Sequence, residues 1–200
     1  MTDGTVDAPP AADPIVEAAK ADLAAGQAFL AKNNLGQAAS ALDQALRGYR
    51  QAGDHAGIAN VLVRLAEVAT RGGQHDQALE HLQQALRICA AEKDAMSCLY
   101  VQQRQAACLR ALDRTAEATA VYLEMLDTHS GHNNPGGAVE VLVSLAETYA
   151  EAGDTAKAAD AYRTAASIHR NFRHQRTAEE LLQRAAALET GAWAPPVPGT

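Results

Sequence analysis

The sequence predicts an all-α protein, a right-handed solenoid of nine helices arranged as four helix pairs and a C-terminal capping helix. Of the 200 residues, 46 are alanine and only 4% are aromatic. Alanine is the strongest helix former, and an interior of Ala and Leu with few rings requires closely packed helices. A β-sandwich or barrel needs many more β-branched and aromatic residues, so an all-β fold is excluded. The third observation is an internal repeat with a period of 40 residues.

Small and apolar residues recur at this period in four copies, and we interpret each copy as two helices joined by a short turn. The small positions must lie where the two helices cross closely, because leucine there would force the axes apart. The repeated columns are a small residue of the first helix (Gly26, Ala66, Ala106, Ala146), a turn residue (Asn33, Gly73, Asp113, Gly153), a small residue of the second helix (Ala38, Ala78, Ala118, Ala158) and a large apolar residue (Leu42, Leu82, Tyr122, Tyr162).

Boundary signals define the elements in order. Asp54, Asp94 and Asn134 are expected N-caps of first helices, and Pro135 suits the first helical position. Thr177 with Glu179-Glu180 is expected to form a capping box that opens the last helix, at about 177–189. The predicted organisation is a disordered tail (1–13), a repeat domain (14–190) with repeats at about 15–54, 55–94, 95–134 and 135–174 and a capping helix (175–190), and a Pro-rich tail (191–200).

Charge and cysteine content restrict the classes of partner. The net charge is −7, which argues against binding nucleic acid or anionic membranes over a whole face. No apolar run approaches the length that spans a bilayer, and the N-terminus shows no signal peptide. Three cysteines without C-x-x-C spacing indicate a reducing compartment. We therefore expect a cytoplasmic protein, and the high alanine content favours a bacterial source.

The fourth copy contains Leu145-Ala146, Tyr149, Ala158 and Tyr162 at the spacing Leu-Gly-x-x-Tyr…Ala…Phe. On these residues the chain resembles the tetratricopeptide repeat (TPR). Its period of 40 rather than 34 resembles the longer-helix variant in kinesin light chain and in bacterial regulatory proteins. The resemblance implies a TPR-like solenoid that binds peptides or proteins through a concave groove lined by the first helices.

A candidate groove follows from these positions. Three of five residues that should face it are arginines, whose planar guanidinium can hold a carboxylate through two hydrogen bonds. We therefore expect an extended or acidic segment as ligand; the alternative is that the arginines pair with Glu67 and Glu147 as a solvated ladder. The candidate groove residues are Asn60, Arg64, Glu67, Arg71, Tyr100, Gln103, Arg104, Arg110, Glu147 and Arg184.

Other motifs give weaker hypotheses. His129 and His132 form an H-x-x-H at a helix end, where a capping role is favoured over a metal site. His129 also falls in a column with Tyr49, Cys89 and His169, which is expected to pack between repeats. Trp193 either covers the last helix or belongs to a docking segment.

No nucleophilic triad, phosphate-binding loop or metal-ligand set is visible, so neither an enzyme nor a cofactor is expected. The sequence thus predicts a non-catalytic adaptor or scaffold with a protein or peptide partner. The alternatives are a structural solenoid that self-assembles, with homo-oligomers possible, and a regulatory module that senses a peptide or small ligand.

Overall fold

The computed structural model describes residues 14–192, and every regular element in that range is an α-helix. The predicted N-terminal tail (1–13) lies outside the described residues, as does the predicted C-terminal tail (191–200) from Trp193 onward. The helices run in chain order as α1 (Pro14–Ala31), α2 (Leu35–Ala52), α3 (His55–Arg71), α4 (His75–Ala91), α5 (Ala95–Ala111), α6 (Thr115–Gly131), α7 (Pro135–Glu151), α8 (Thr155–Asn171) and α9 (Gln175–Glu189).

The turns repeat at half the period of the sequence pattern. A residue with left-handed backbone conformation follows each of the first eight helices, at a spacing of 20 residues. The N–H of the next residue then donates to the carbonyl oxygen five residues earlier, as from Asp54 to Tyr49 (3.0 Å). The positive-φ turn residues are Asn33, Gly53, Gly73, Lys93, Asp113, Asn133, Gly153 and Arg173. The four turn positions predicted from the repeat are all among them.

Three first helices begin with the predicted side-chain caps. The carboxylates of Asp54 and Asp94 and the amide oxygen of Asn134 each accept a hydrogen bond from the backbone N–H three residues ahead, at 2.8–3.0 Å. Pro135 takes the first position of α7. These N-cap predictions are confirmed.

The predicted capping box at Thr177 is wrong. Helix α9 already begins at Gln175, and its N-cap residue is His174, whose side chain makes no capping hydrogen bond. Thr177 lies inside the first turn. The left-handed residue Arg173 ends the preceding helical segment at the same place as in every other repeat, so the repeat geometry overrides the local capping signal.

The small-residue columns form the interior. Each helix packs mainly against the helices before and after it in the chain. Ala38, Ala78, Ala118 and Ala158 have no exposed surface, and the large residues four positions later are at most 3% exposed. At Gly26, an added Cβ would lie 2.7 Å from Cγ of Leu42. The pairing of a small position on one helix with a large residue on the other sets the close spacing within each repeat.

Within the described part of the chain, no helix is both long enough and apolar enough to cross a membrane.

Candidate functional site

Side chains connect each first helix of the array to the next. Arg71 of α3 donates to the carbonyl oxygen of Leu30 in α1 (2.8 Å), and the Thr70 hydroxyl contacts Sγ of Cys108 in α5 (3.5 Å). Arg110 of α5 then reaches Glu151 of α7 (2.6 Å), and Arg184 of α9 lies 3.9 Å from Glu147 of α7. The helices α1, α3, α5, α7 and α9 therefore form one continuous surface, which we call the first-helix face.

Glu67 holds two of the predicted groove arginines on α3. Arg64 donates to one of its carboxylate oxygens (3.1 Å) and Arg71 to the other (2.7 Å). The Glu67 side chain is only 18% exposed, so its charge is poorly solvated and the two guanidinium groups stabilise it. Arg64, Arg71 and Glu67 of the candidate groove together carry a net charge of +1.

Arg110 and Arg184 also have acidic partners. Arg110 binds Glu151 through two hydrogen bonds, from Nε (3.2 Å) and Nη2 (2.6 Å). Glu147, 19% exposed, is the partner of Arg184. These four arginines therefore have the acidic partners that the alternative of a supporting ladder requires. Arg71, Arg110 and Arg184 link helices of the first-helix face, whereas Arg64 pairs with Glu67 within α3.

Arg104 differs from the other four. Its Nη2 donates to the hydroxyl of Tyr100 (2.7 Å), and its guanidinium carbon lies 4.8 Å from the centre of the Tyr100 ring. Among the described residues it has no carboxylate partner, and its Nε is buried without a hydrogen-bond partner. Because Arg104 forms no ion pair among the described residues, its guanidinium is available to an anionic group.

A cleft of about 770 Å³ opens between α3 and α5, and its lining includes Tyr100, the hydrogen-bond partner of Arg104. Apolar side chains from three helices line it, and Asn60 and Tyr100 lie among them, so it includes two predicted groove residues. The carboxylates of Asp54, Glu92 and Asp94 lie at one end. Its apolar lining consists of Ala56, Ala59, Val63, Ile88, Cys89 and Val101.

The groove continues along the same two helices. A second depression of about 230 Å³ lies between their C-terminal halves and is lined by Glu67, Arg71 and Arg104. Gln103 lies instead in a smaller cleft of about 190 Å³ between α5 and α7. The α3/α5 groove is thus acidic at the helix N-termini, apolar in the middle and basic beyond Tyr100.

The sequence interpretation missed the acidic end and the apolar lining of this groove. Asp54 and Asp94 were assigned as helix caps only, and Cys89 only as a packing residue. A signal existed for Cys89, because it is the smallest member of a column whose other members are Tyr49, His129 and His169. Whether a small residue at this position leaves an open cleft depends on the side chain opposite it, and the periodicity of the sequence does not show that side chain.

The remaining motifs have local contacts. The His132 ring nitrogen contacts the Thr128 carbonyl oxygen (2.8 Å), while the buried His129 ring packs against Gly137. His169 is less buried and contacts His174. Within residues 14–192, no group of three or more His, Cys, Asp or Glu side chains is placed to hold a metal ion.

All three cysteines are free thiols. Cys89 and Cys108 are buried and Cys98 is partly buried. Burial raises the pKa of both Cys89 and Cys98, and the thiolate is the reactive form of cysteine. These two thiols are therefore poor nucleophiles at neutral pH.

Comparison with known families identifies two stretches of the chain. Residues 17–91 and residues 140–171 each match a family model described as tetratricopeptide repeat, and together they cover just over half of the chain. No curated protein matches the sequence.

Several solved structures share the fold. Aspartyl phosphate phosphatase F from Bacillus subtilis is 12% identical, with a TM-score of 0.73 over 88% of this chain and 46% of that protein. The TPR-like repeats of a kinesin light chain from Podosopora anserina are 16% identical, with a TM-score of 0.63 over 86% of this chain and 95% of that one. These similarities confirm the all-α, TPR-like solenoid.

A third solved structure contains a peptide. The Rap conjugation gene regulator of the plasmid pLS20, in complex with the Phr* peptide, is 14% identical, with a TM-score of 0.60 over 85% of this chain and 53% of that one. The present chain therefore spans about half the length of this regulator and of the phosphatase.

Proposed function

Because the chain is a tetratricopeptide-repeat protein, we propose that it is a non-catalytic interaction module that binds an extended peptide segment of a partner protein along its first-helix face. The observation that carries this proposal is the α3/α5 groove, whose second depression is lined by Arg104, an arginine without a carboxylate partner among the described residues. An acidic residue of the bound segment would pair with Arg104. The expected setting is the bacterial cytoplasm, which the Bacillus neighbour supports.

The preformed groove favours binding of a flexible segment. The helices on both sides are held by Arg71, Thr70 and Arg110, so little ordering of the protein opposes association. The Rap regulator with its Phr* peptide supports a peptide as ligand and also supports the alternative of a peptide-sensing regulatory module.

A capture experiment tests the location of the binding surface. Wild type and the Arg64→Ala/Arg104→Ala variant are used to capture proteins from lysate of the source cells, and bound proteins are identified by mass spectrometry. A partner that wild type retains and the double variant loses supports the proposal. The matched control is Arg47→Ala/Arg87→Ala, which removes two exposed arginines from the second helices α2 and α4.

The control also tests the surface of the second helices. Arg87 borders a neighbouring depression of about 350 Å³ between α2, α3 and α4, which shares His55, Ile88 and Glu92 with the large cleft. A partner lost only from the control variant would place binding there and contradict the groove proposal.

Self-assembly is measured separately. Light scattering over a concentration series distinguishes a monomer of 21.0 kDa from a self-assembling solenoid. If assembly occurs and the Arg64→Ala/Arg104→Ala variant abolishes it, the groove binds another copy rather than a different partner.

A further inference from the structure

The junctions between successive repeats pair a large residue with glycine. The ring of Tyr49 packs against Gly57, where an added Cβ would lie 2.2 Å from Cδ1 of the ring. Eighty residues later, the ring of His129 packs against Gly137 with the same separation from its Cε1. In both cases a ring from a second helix occupies the space that glycine leaves at the start of the next first helix.

The junction between the second and third repeats lacks this ring. Its equivalent positions are Cys89 and Ser97, and both line the 770 Å³ cleft. The equivalent cleft one repeat later, lined by His129 and Gly137, measures about 190 Å³. The larger cleft therefore lies where a small thiol replaces the ring.

Other lining residues enlarge the same space. Each apolar position of the large cleft on α3 has a bulkier counterpart 40 residues later in the small cleft. The pairs are Ala56 with Met96, Ala59 with Leu99, and Val63 with Gln103. A volume of this size is typical of ligand sites rather than of packing defects between helices.

Charge defines how a segment would lie in the cleft. Asp94 lines the cleft, and Arg104, which lines the adjoining depression, lies ten residues further along α5, about 15 Å along the helix axis. An extended peptide covers that distance in four to five residues at about 3.3 Å each. The depression beyond Arg104 lengthens the groove further, which suits an extended segment better than a compact small molecule.

We infer that the α3/α5 cleft is a specificity pocket for one bulky apolar side chain, preferentially aromatic, of an extended segment with a basic residue toward Asp54 and Asp94 and an acidic residue toward Arg104. This inference rests on the proposed function and specifies the ligand. Cys89 and Ser97 determine the specificity, because their small side chains leave the pocket open.

The direct test uses five-residue peptides with blocked ends and a fluorescent label, Lys-Ala-Phe-Ala-Glu and its reverse Glu-Ala-Phe-Ala-Lys, since either chain direction satisfies the charges. Replacing Phe by Ala should weaken binding to wild type at least tenfold. Peptides carrying Lys at both ends or Glu at both ends should bind more weakly than the mixed-charge peptides. Equal affinity for the Phe and Ala peptides, or no binding of either Phe peptide at millimolar concentration, would overturn the inference.

A variant that closes the pocket supplies the second test. Cys89→Tyr/Ser97→Gly copies the Tyr49–Gly57 pair into this junction and should abolish binding of the Phe peptide while preserving the helical circular dichroism. Cys89→Ser/Ser97→Gly is the matched control, because it also removes the Ser97 hydroxyl that donates to Asp94 and leaves the cleft open. Ala59→Leu, which copies Leu99, closes the cleft from α3 and should also abolish binding if the tyrosine variant folds poorly.

The two proposals fail differently. If the closed-pocket variants capture the natural partner as well as wild type does, while Arg64→Ala/Arg104→Ala loses it, the pocket inference is wrong and the groove proposal stands. If neither set of changes affects capture of the partner, both are wrong.

Discussion

Tyr49 lies so close to Gly57 that the glycine tolerates no Cβ without movement of the ring, since three ring atoms would lie within 2.6 Å of it. The tyrosine is 3% exposed and therefore has little space into which to move. The contact joins the second helix of one repeat to the first helix of the next, so it determines the spacing between repeats rather than within one.

Replacing Gly57 by Ala should therefore destabilise the protein although alanine is the better helix former. We expect a loss of about 1–3 kcal/mol in the free energy of unfolding, measured by urea denaturation, because overpacking exceeds the gain in helix propensity. Gly36→Ala is the control, since no neighbouring atom lies within 4 Å of its added Cβ, and it should be neutral or stabilising by up to about 1 kcal/mol. Equal effects of the two substitutions would contradict the packing argument.

The Arg110–Glu151 pair should contribute measurably to the coupling between the third and fourth repeats. A double-mutant cycle with Arg110→Ala and Glu151→Ala is expected to give a coupling free energy of about 0.5–1 kcal/mol. The arginine side chain is 26% exposed, so raising the salt concentration should reduce this coupling only partly. The cycle for the exposed Arg176–Glu180 pair within α9 is the comparison, and it should give a smaller coupling. A coupling of zero for Arg110 and Glu151 would show that the contact positions the helices without stabilising them.

Stability at acidic pH should depend on the N-cap Asp94. The Ser97 hydroxyl and backbone N–H donate to its carboxylate and lower its pKa below the ordinary value of 3.8. Because the unfolded chain binds the proton at higher pH than the folded chain, this stabilisation is fully present above the unfolded pKa and is lost as the pH falls through the folded pKa.

Asp94→Asn separates titration from capping. Asparagine caps helices about as well as aspartate does, and Asn134 already serves α7 in this way. The difference in unfolding free energy between wild type and the variant should therefore decrease from pH 6 to pH 3 in urea titrations. Asp127→Asn, at an exposed position within α6, is the control substitution. A difference that stays constant across this range would exclude the cap as the titrating group.

Arg173 adopts a left-handed conformation with φ of 62°, which is unfavourable for a residue with a side chain. Arg173→Gly should stabilise the protein by about 0.5–1 kcal/mol, because the relief of backbone strain exceeds the added entropy of the unfolded chain. Arg170→Gly, within the last turn of α8, is the matched control and should destabilise by up to about 1 kcal/mol. Thermal unfolding of both variants checks the prediction, and a lower midpoint for Arg173→Gly would contradict it.

The fold could be predicted because the small residues and the turn residues recur at the same positions in each repeat. Alanine at Ala78 and Ala118 permits close helix crossing, and the turn residues Gly73 and Asp113 adopt the backbone conformation that ends a helix. These are local properties, and four copies in register leave few arrangements other than a solenoid. The capping-box prediction at Thr177 was wrong because a local sequence signal was given more weight than the repeat, which places the turn at Arg173.

The charged residues of the candidate groove were found in sequence by their position on the first helices, but their partners were decided by the tertiary structure. Glu151 lies 41 residues from Arg110 and Leu30 lies 41 residues from Arg71, so no local pattern pairs them. Only the stacking of repeats distinguishes Arg104, which has no carboxylate partner in the described range, from the arginines that link helices.

The sequence by itself determined the helices, their turns and the order in which they stack, because propensity, capping and the small-residue columns act over one repeat. The tertiary structure decided where the array is open. Cys89 and Ser97 of the next repeat both line the cleft and are both small, whereas the ring of Tyr49 fills the space beside Gly57. The size of that cleft depends on pairs of side chains from different repeats. A column of residues at a fixed spacing in the sequence does not show which side chains face each other.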